Sequence, residues 1–138
     1  MPISKNQARE LAKTFRDLSN QLGDFRFENW SSLSTSQRQS IEDAEWTVLN
    51  YSSDFITTAV GIALNDMQAD LKAISDATSK AKKAIAIIET VKDILKVTAA
   101  LIVLGGAIAS QNPSAIASAA GDLFNTAKGV VDKSKDDA

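Results

Sequence analysis

Apolar residues return every three or four positions along almost the whole chain, a spacing that fits helices and not half-buried strands. Ala8, Leu11, Phe15, Leu18 and Leu22 make the first stripe. They predict a helix over residues 5–22, with Ser4 as its N-cap and Gly23 as the left-handed residue that ends it. Residues 24–36, DFRFENWSSLSTS, break the rhythm yet carry Phe25, Phe27, Trp30 and Leu33. They read as a short helix or cap over one end of a bundle; left uncovered, the rings would anchor a membrane interface or a partner.

Ser34 and Gln37 have the spacing of a capping box and open a second helical run. From there to Leu104 the chain has no proline and a single glycine, Gly61. Ile41, Val48, Phe55, Ala59, Ile62, Met67, Leu71 and Ile74 keep the helical spacing, and Trp46, Leu49, Ile56, Val60 and Leu64 widen the stripe. The pattern predicts one helix over 36–75, a turn in the weak helix formers of 75–79, and another helix over 80–110. Forty helical residues would reach roughly 60 Å. The bundle is therefore expected to be elongated and antiparallel, or kinked near 50–54 or at Asn65-Asp66. Residues 36–76 carry seven acidic and two basic residues, and residues 77–104 carry five lysines against Glu89 and Asp93. Opposite signs are expected to set the register if these segments pack together.

The most unusual stretch is Val97 to Gly121, 25 residues without a charge. Asn112-Pro113 interrupts it, since proline disfavours helix in the residue before it. A last helix is expected over 115–132, capped by Ser114 and carrying Ile116, Ala120, Leu123, Phe124, Ala127, Val130 and Val131 on its apolar side. Residues 97–110 supply about 21 Å of helix, too short for a lone transmembrane span. Two arms with a tip at 111–114 form a hairpin instead. The residues expected to make its membrane or partner surface are Val97, Leu101, Ile102, Val103, Leu104, Gly105, Gly106, Ile108, Pro113 and Ile116. Lys80, Lys82, Lys83, Lys92 and Lys96 form a basic flank suited to acidic headgroups.

Composition narrows the chemistry. Six glycines and two prolines in 138 residues are too few turn signals for a β or α/β fold, which leaves an all-α bundle of four to five helices in one domain, 1–138. With no histidine and no cysteine, the commonest general base, nucleophilic thiol and metal ligands are missing together. Glu42, Asp43 and Glu45 are the nearest approach to a cation site, and as a group on a surface helix they read as a solvated acidic face. No cofactor is expected, and the protein reads as a non-enzyme. A net charge of −2 and dispersed basic residues give no drive toward nucleic acid. The first residues lack the apolar segment of a secretory signal, which leaves a cytoplasmic location or non-classical export as the expectation.

The stretch ALIVLGGAIASQNPSAIASAAG, charge-poor and rich in glycine and alanine beside long amphipathic helices, resembles the α-helical pore-forming toxins of the haemolysin-E and haemolysin-BL type. The resemblance implies a bundle that shelters an apolar hairpin and releases it into a membrane on assembly. It assigns no residue a role beyond the hairpin itself. Two functions follow as expectations. One is a bundle that binds or inserts into lipid membranes, as an oligomeric pore-forming component. The other is a soluble self-association or protein-interaction module, or a carrier of an apolar ligand, with the hairpin buried as core.

Overall fold

A computed structural model describes residues 5–58, 67–88, 90–110 and 112–136. Five α-helices account for nearly all of them: α1 (Lys5–Glu28), α2 (Thr35–Thr58), α3 (Met67–Ile87), α4 (Val91–Ala109) and α5 (Pro113–Asp136). A single 3-10 turn, Trp30–Ser32, joins the first two. The fold is an all-α bundle, as the scarcity of turn residues requires.

Each helix buries a seam with alternating steps of three and four. In α1 it is Leu11, Phe15, Leu18, Leu22 and Phe25; in α2, Ile41, Ala44 and Val48; in α4, Ile94, Val97, Leu101, Leu104 and Ile108. Such seams let near-parallel helices interlock side chains, the geometry of bundles. Each fully buried Leu or Phe contributes about 1.5–3 kcal/mol relative to exposure. The seams of α3 and α5 mix alanines among larger residues, Ala77, Ala81 and Ala84 beside Ile74 and Ile85 on one, and Ala119, Ala120 and Ala127 beside Ile116 and Leu123 on the other. Short side chains allow close approach, and α3 and α5 form one of the two most extensive helix pairs, the other being α1 with α2. α5 also packs along α4, whereas α3 and α4 touch each other only slightly.

The α1–α2 pair is antiparallel and held by polar clips as well as packing. The Ser52 hydroxyl donates to the Ala12 carbonyl at 2.7 Å, and the Ser19 hydroxyl donates to the Glu45 carbonyl at 2.8 Å. These bonds satisfy hydroxyls that the interface has removed from water. Ser52 is buried, so α2 runs through residues 50–54 as helix there.

Several helix limits differ from expectation. The first helix does not stop at Gly23 but continues to Glu28. Gly23 serves close approach instead: a Cβ there would lie 2.9 Å from Glu45 Oε1 of α2. The expected turn at 75–79 is helix, because Ala77 is fully buried in the seam and the Thr78 hydroxyl bonds back to the Ile74 carbonyl at 2.8 Å. Packing overrides weak propensity there. The single helix expected over 80–110 is two helices. Thr90, in an extended conformation, accepts from the Asp93 N–H and starts α4. The helix expected over 36–75 is described in two stretches, α2 to Thr58 and α3 from Met67; whether it breaks falls on residues 59–66, with Ala59, Val60, Ile62 and Leu64, outside the described residues. Asn65-Asp66 and the Ser4 cap lie outside the described residues.

Ser34 and Gln37 do form a reciprocal box, with Ser34 N–H to Gln37 Oε1 at 2.8 Å and Gln37 N–H to Ser34 Oγ at 3.1 Å. At the last helix the cap is Asn112 rather than Ser114. Its Oδ1 accepts from the Ala115 N–H at 3.2 Å, and Pro113 occupies the first helical position, where a missing N–H costs nothing. Among the described residues no ion pair joins 36–76 to 77–104, the segments whose opposite charges are expected to set the register. Among the described residues the ion pairs join α1 to α2, α1 to α3 and α4 to α5.

Candidate interaction surfaces

The uncharged stretch is a helical hairpin, α4 and α5 linked across residues 110–112. Its inner side belongs to the core. Val97, Leu101, Leu104, Ile108 and Ile116 are buried, and so is Gly105. The glycine pair has a specific use. A Cβ on Gly105 would sit 2.7 Å from Cε2 and 3.0 Å from Cγ of Tyr51, and one on Gly106 would sit 3.3 Å from its hydroxyl oxygen. Tyr51 of α2 therefore lies flat against the α4 backbone, a contact open only to a residue without a side chain. Sequence reasoning singled out the glycines without finding the ring that needs them.

The outer side of α4 is the unusual one. Val103 is 60% exposed, Leu95, Ala99 and Ala109 are exposed, and Ile102 and Gly106 are half-buried. From Val97 to Ser110 no charge interrupts this face. A helix apolar on all sides is ordinarily covered on all sides. No helix among the described residues is long and apolar enough to cross a membrane.

The five lysines expected to flank the hairpin are not gathered on one side of it. Lys82 leaves α3 toward Asp17 of α1 at 3.4 Å, and Lys80 reaches over the Phe124 ring of α5 at 6.0 Å. Lys83, Lys92 and Lys96 are exposed. Lys96 borders a groove of about 660 Å³ between α4 and α5, with Lys133 on the other bank paired to Asp93 at 3.5 Å. Lys92 and Lys96 alone stand beside the N-terminal end of the uncharged face.

A second surface lies at the junction of α1 and α2, in the segment read from sequence as a bundle cap. Phe25 and Leu33 are buried as a cap requires, but Phe27 and Trp30 are exposed and stacked, ring centroids 6.1 Å apart. Arg26 lies 4.7 Å above Phe27 and 5.9 Å from Trp30, and Arg38 covers Trp30 at 4.3 Å. Arg38 is fixed there by Nε and an η nitrogen donating to the Trp30 carbonyl at 3.0 and 2.6 Å. Arg26 is fixed by a two-pronged contact with Glu45, at 2.6 and 3.3 Å. Both side chains of this pair are largely buried, which strengthens the attraction relative to a surface pair.

The Glu45 hydrogen bond raises the Arg26 pKa above its ordinary value, against a smaller opposing effect of burial. The stabilisation is therefore complete below the ordinary guanidinium pKa and is lost only as pH rises through the raised one. Near neutrality the pair is pH-independent through Arg26.

Trp46 was expected to widen the buried stripe of the second helix, and it does not. At 3.6 residues per turn it falls almost opposite Ala44 and Val48. It is 59% exposed. That phase angle was available in the sequence and marks the ring as a surface feature. No group of three acidic side chains comes together as a cation site among the described residues. Glu45 is turned to Arg26 instead.

No family model, curated protein or solved structure matches the chain.

Proposed function

We propose that the protein is a non-enzymatic helical bundle that acts by binding, and that the outer face of α4 packs against a helix supplied by a second copy of the chain. The observation that carries this reading is the apolar exterior of α4 around Val103, on a helix whose interior already closes the core. Ala99, Gly106 and Ala109 among its larger residues let another helix come close, which acyl chains do not need, and the exposed rings of the molecule lie on other helices. Covering Val103, Ile102 and Leu95 removes apolar area that the isolated bundle leaves in water. Multi-angle light scattering across a concentration series tests it. A dimer is expected that dissociates in the Val103→Asp variant, and a monomer at every concentration would remove the reading.

The membrane reading keeps one supporting observation, the exposed Lys92 and Lys96 at one end of the same face. In that form the bundle docks on anionic lipid through α4, and pore formation of the toxin kind follows only if the hairpin leaves the core. Co-sedimentation with phosphatidylserine vesicles and dye release separate the steps. Binding without release supports docking alone; neither binding nor release across pH and lipid composition sinks both.

A further inference from the structure

The aromatic surface at the α1–α2 junction follows a rule with one exception. Phe27 and Trp30, both exposed, have guanidinium groups over their rings, from Arg26 and Arg38. Trp46 is the remaining exposed ring of this region, and among the described residues no cation covers it. It forms one wall of a groove of about 570 Å³ between α1 and α2, with Phe27 and Asp24 on the α1 side and Glu42 on its own helix. Glu42 and Trp46 are four residues apart and so share a helix face, about 5–6 Å between Cβ atoms. Glu45 at the same groove is already neutralised by Arg26, whereas Asp24 and Glu42 belong to no ion pair among the described residues. Glu42 also adds to the negative field on Arg26, which lines the same groove. With Asp24, Glu42 and Glu45 against the single Arg26, the groove keeps an excess of negative charge beside an exposed indole.

The geometry points to this groove as the docking site for an arginine-bearing segment of a partner protein, its guanidinium laid on Trp46 and held by Glu42 and Asp24. The charge is complementary: two carboxylates ask for a cation, and a flat ring with no apolar cover asks for one that stacks. Arginine meets both requirements better than lysine, because a planar guanidinium stacks on a ring and forks to carboxylates at once. The same surface already uses that combination, Arg26 being seated between Phe27 and the Glu45 carboxylate. The site is separate from the outer face of α4, so the two stand or fall independently.

The test uses the full chain and a blocked peptide carrying two arginines, with its lysine and citrulline counterparts. In a Trp30→Phe background, Trp46 is the sole fluorophore of its kind, and its emission should change saturably with the arginine peptide. Calorimetry on the wild type should show the arginine peptide binding more tightly than the lysine one, and the citrulline peptide not at all. Trp46→Ala should weaken binding about tenfold, within the range of a cation–ring contact. Glu42→Gln with Asp24→Asn should abolish it, and Val103→Asp should leave it unchanged. Equal binding of the citrulline peptide, indifference to the carboxylate substitutions, or no saturation at millimolar peptide overturns the assignment. So does tighter binding of tetramethylammonium, which would make the groove a quaternary-ammonium site instead. The citrulline comparison on wild type needs no variant to fold.

Discussion

The helices α1 and α4 share a spacing and differ in almost everything else. Both bury a seam in steps of three and four. On its outer side α1 carries Arg9, Lys13, Arg16, Asn20 and Asp24, the ordinary polar cover of a bundle helix. Beyond Lys92 and Lys96, the outer side of α4 carries Ala99, Ile102, Val103 and Gly106. The seam decides how a helix enters the core, and the opposite face decides whether the finished bundle is sufficient unto itself. Their partners differ too. The α1–α2 contact is made by large side chains, two hydroxyl clips and a shielded ion pair, whereas α4 adds to its side-chain seam one contact through bare backbone, where Tyr51 rests on Gly105.

The sharpest way to break the comparison is to place one charge on each side of α4. Leu104→Asp puts a carboxylate where exposure is 0%, and a loss exceeding about 4 kcal/mol is expected in urea denaturation, enough to unfold most domains of this size. Val103→Asp, one residue earlier, should change monomer stability by less than about 0.5 kcal/mol. If both unfold the protein, the outer face is not free in the bundle. Gly105→Ala comes next. The new methyl drives into the Tyr51 ring, and overpacking of this kind costs about 1–3 kcal/mol. Gly105→Ala in a Tyr51→Ala background should cost less, and a double-mutant cycle would read that coupling; simple additivity would mean that the ring is not what excludes a side chain.

Thr90→Ala removes the cap that separates α3 from α4 and should lower stability by about 1 kcal/mol. Its thermal midpoint should fall by several degrees, and an unchanged midpoint would move the helix start elsewhere. Gly129→Ala is the mildest test and has the opposite sign. A Cβ at Gly129 meets nothing within 4 Å, so alanine should stabilise α5 by roughly 0.5–1 kcal/mol. Two glycines on adjacent helices would then give changes of opposite direction from the same substitution.

Much of this was legible along the chain. The buried stripes of α1 and α5, and Ile41, Val48 and Ile74, follow from spacing, and so do the Ser34–Gln37 box and the hairpin around Pro113; Trp46 does not, and the alanines of α3 carry too little hydrophobicity to mark a stripe. What failed were stops and starts read from single residues. Gly23 has the look of a terminator because glycine tolerates left-handed geometry, yet it lies inside the helix, where its missing side chain leaves room for the Glu45 carboxylate. Ser75 to Ser79 looked like a turn because its residues are poor helix formers, and burial of Ala77 outweighed them. Thr90, a real start, is hidden in the sequence because residues on both sides keep the helical rhythm. The arginine-covered rings could not be read either, since Arg38 reaches Trp30 from eight residues away through a fold that spacing does not describe.

The arrangement of α5 bears on how the chain is made. α3 and α4 are joined by a few residues but lean chiefly on α5 rather than on each other. On the ribosome α1 and α2 emerge first and can close as a hairpin from local contacts. α3 and α4 emerge next and can lean on α1 and α2, but the sides that meet α5 stay uncovered until residues 113–136 follow. During that interval the nascent chain exposes more greasy surface than the finished protein ever does, and chaperone occupancy should peak there. Nascent chains stalled before position 113 should show protease resistance confined to the first hairpin.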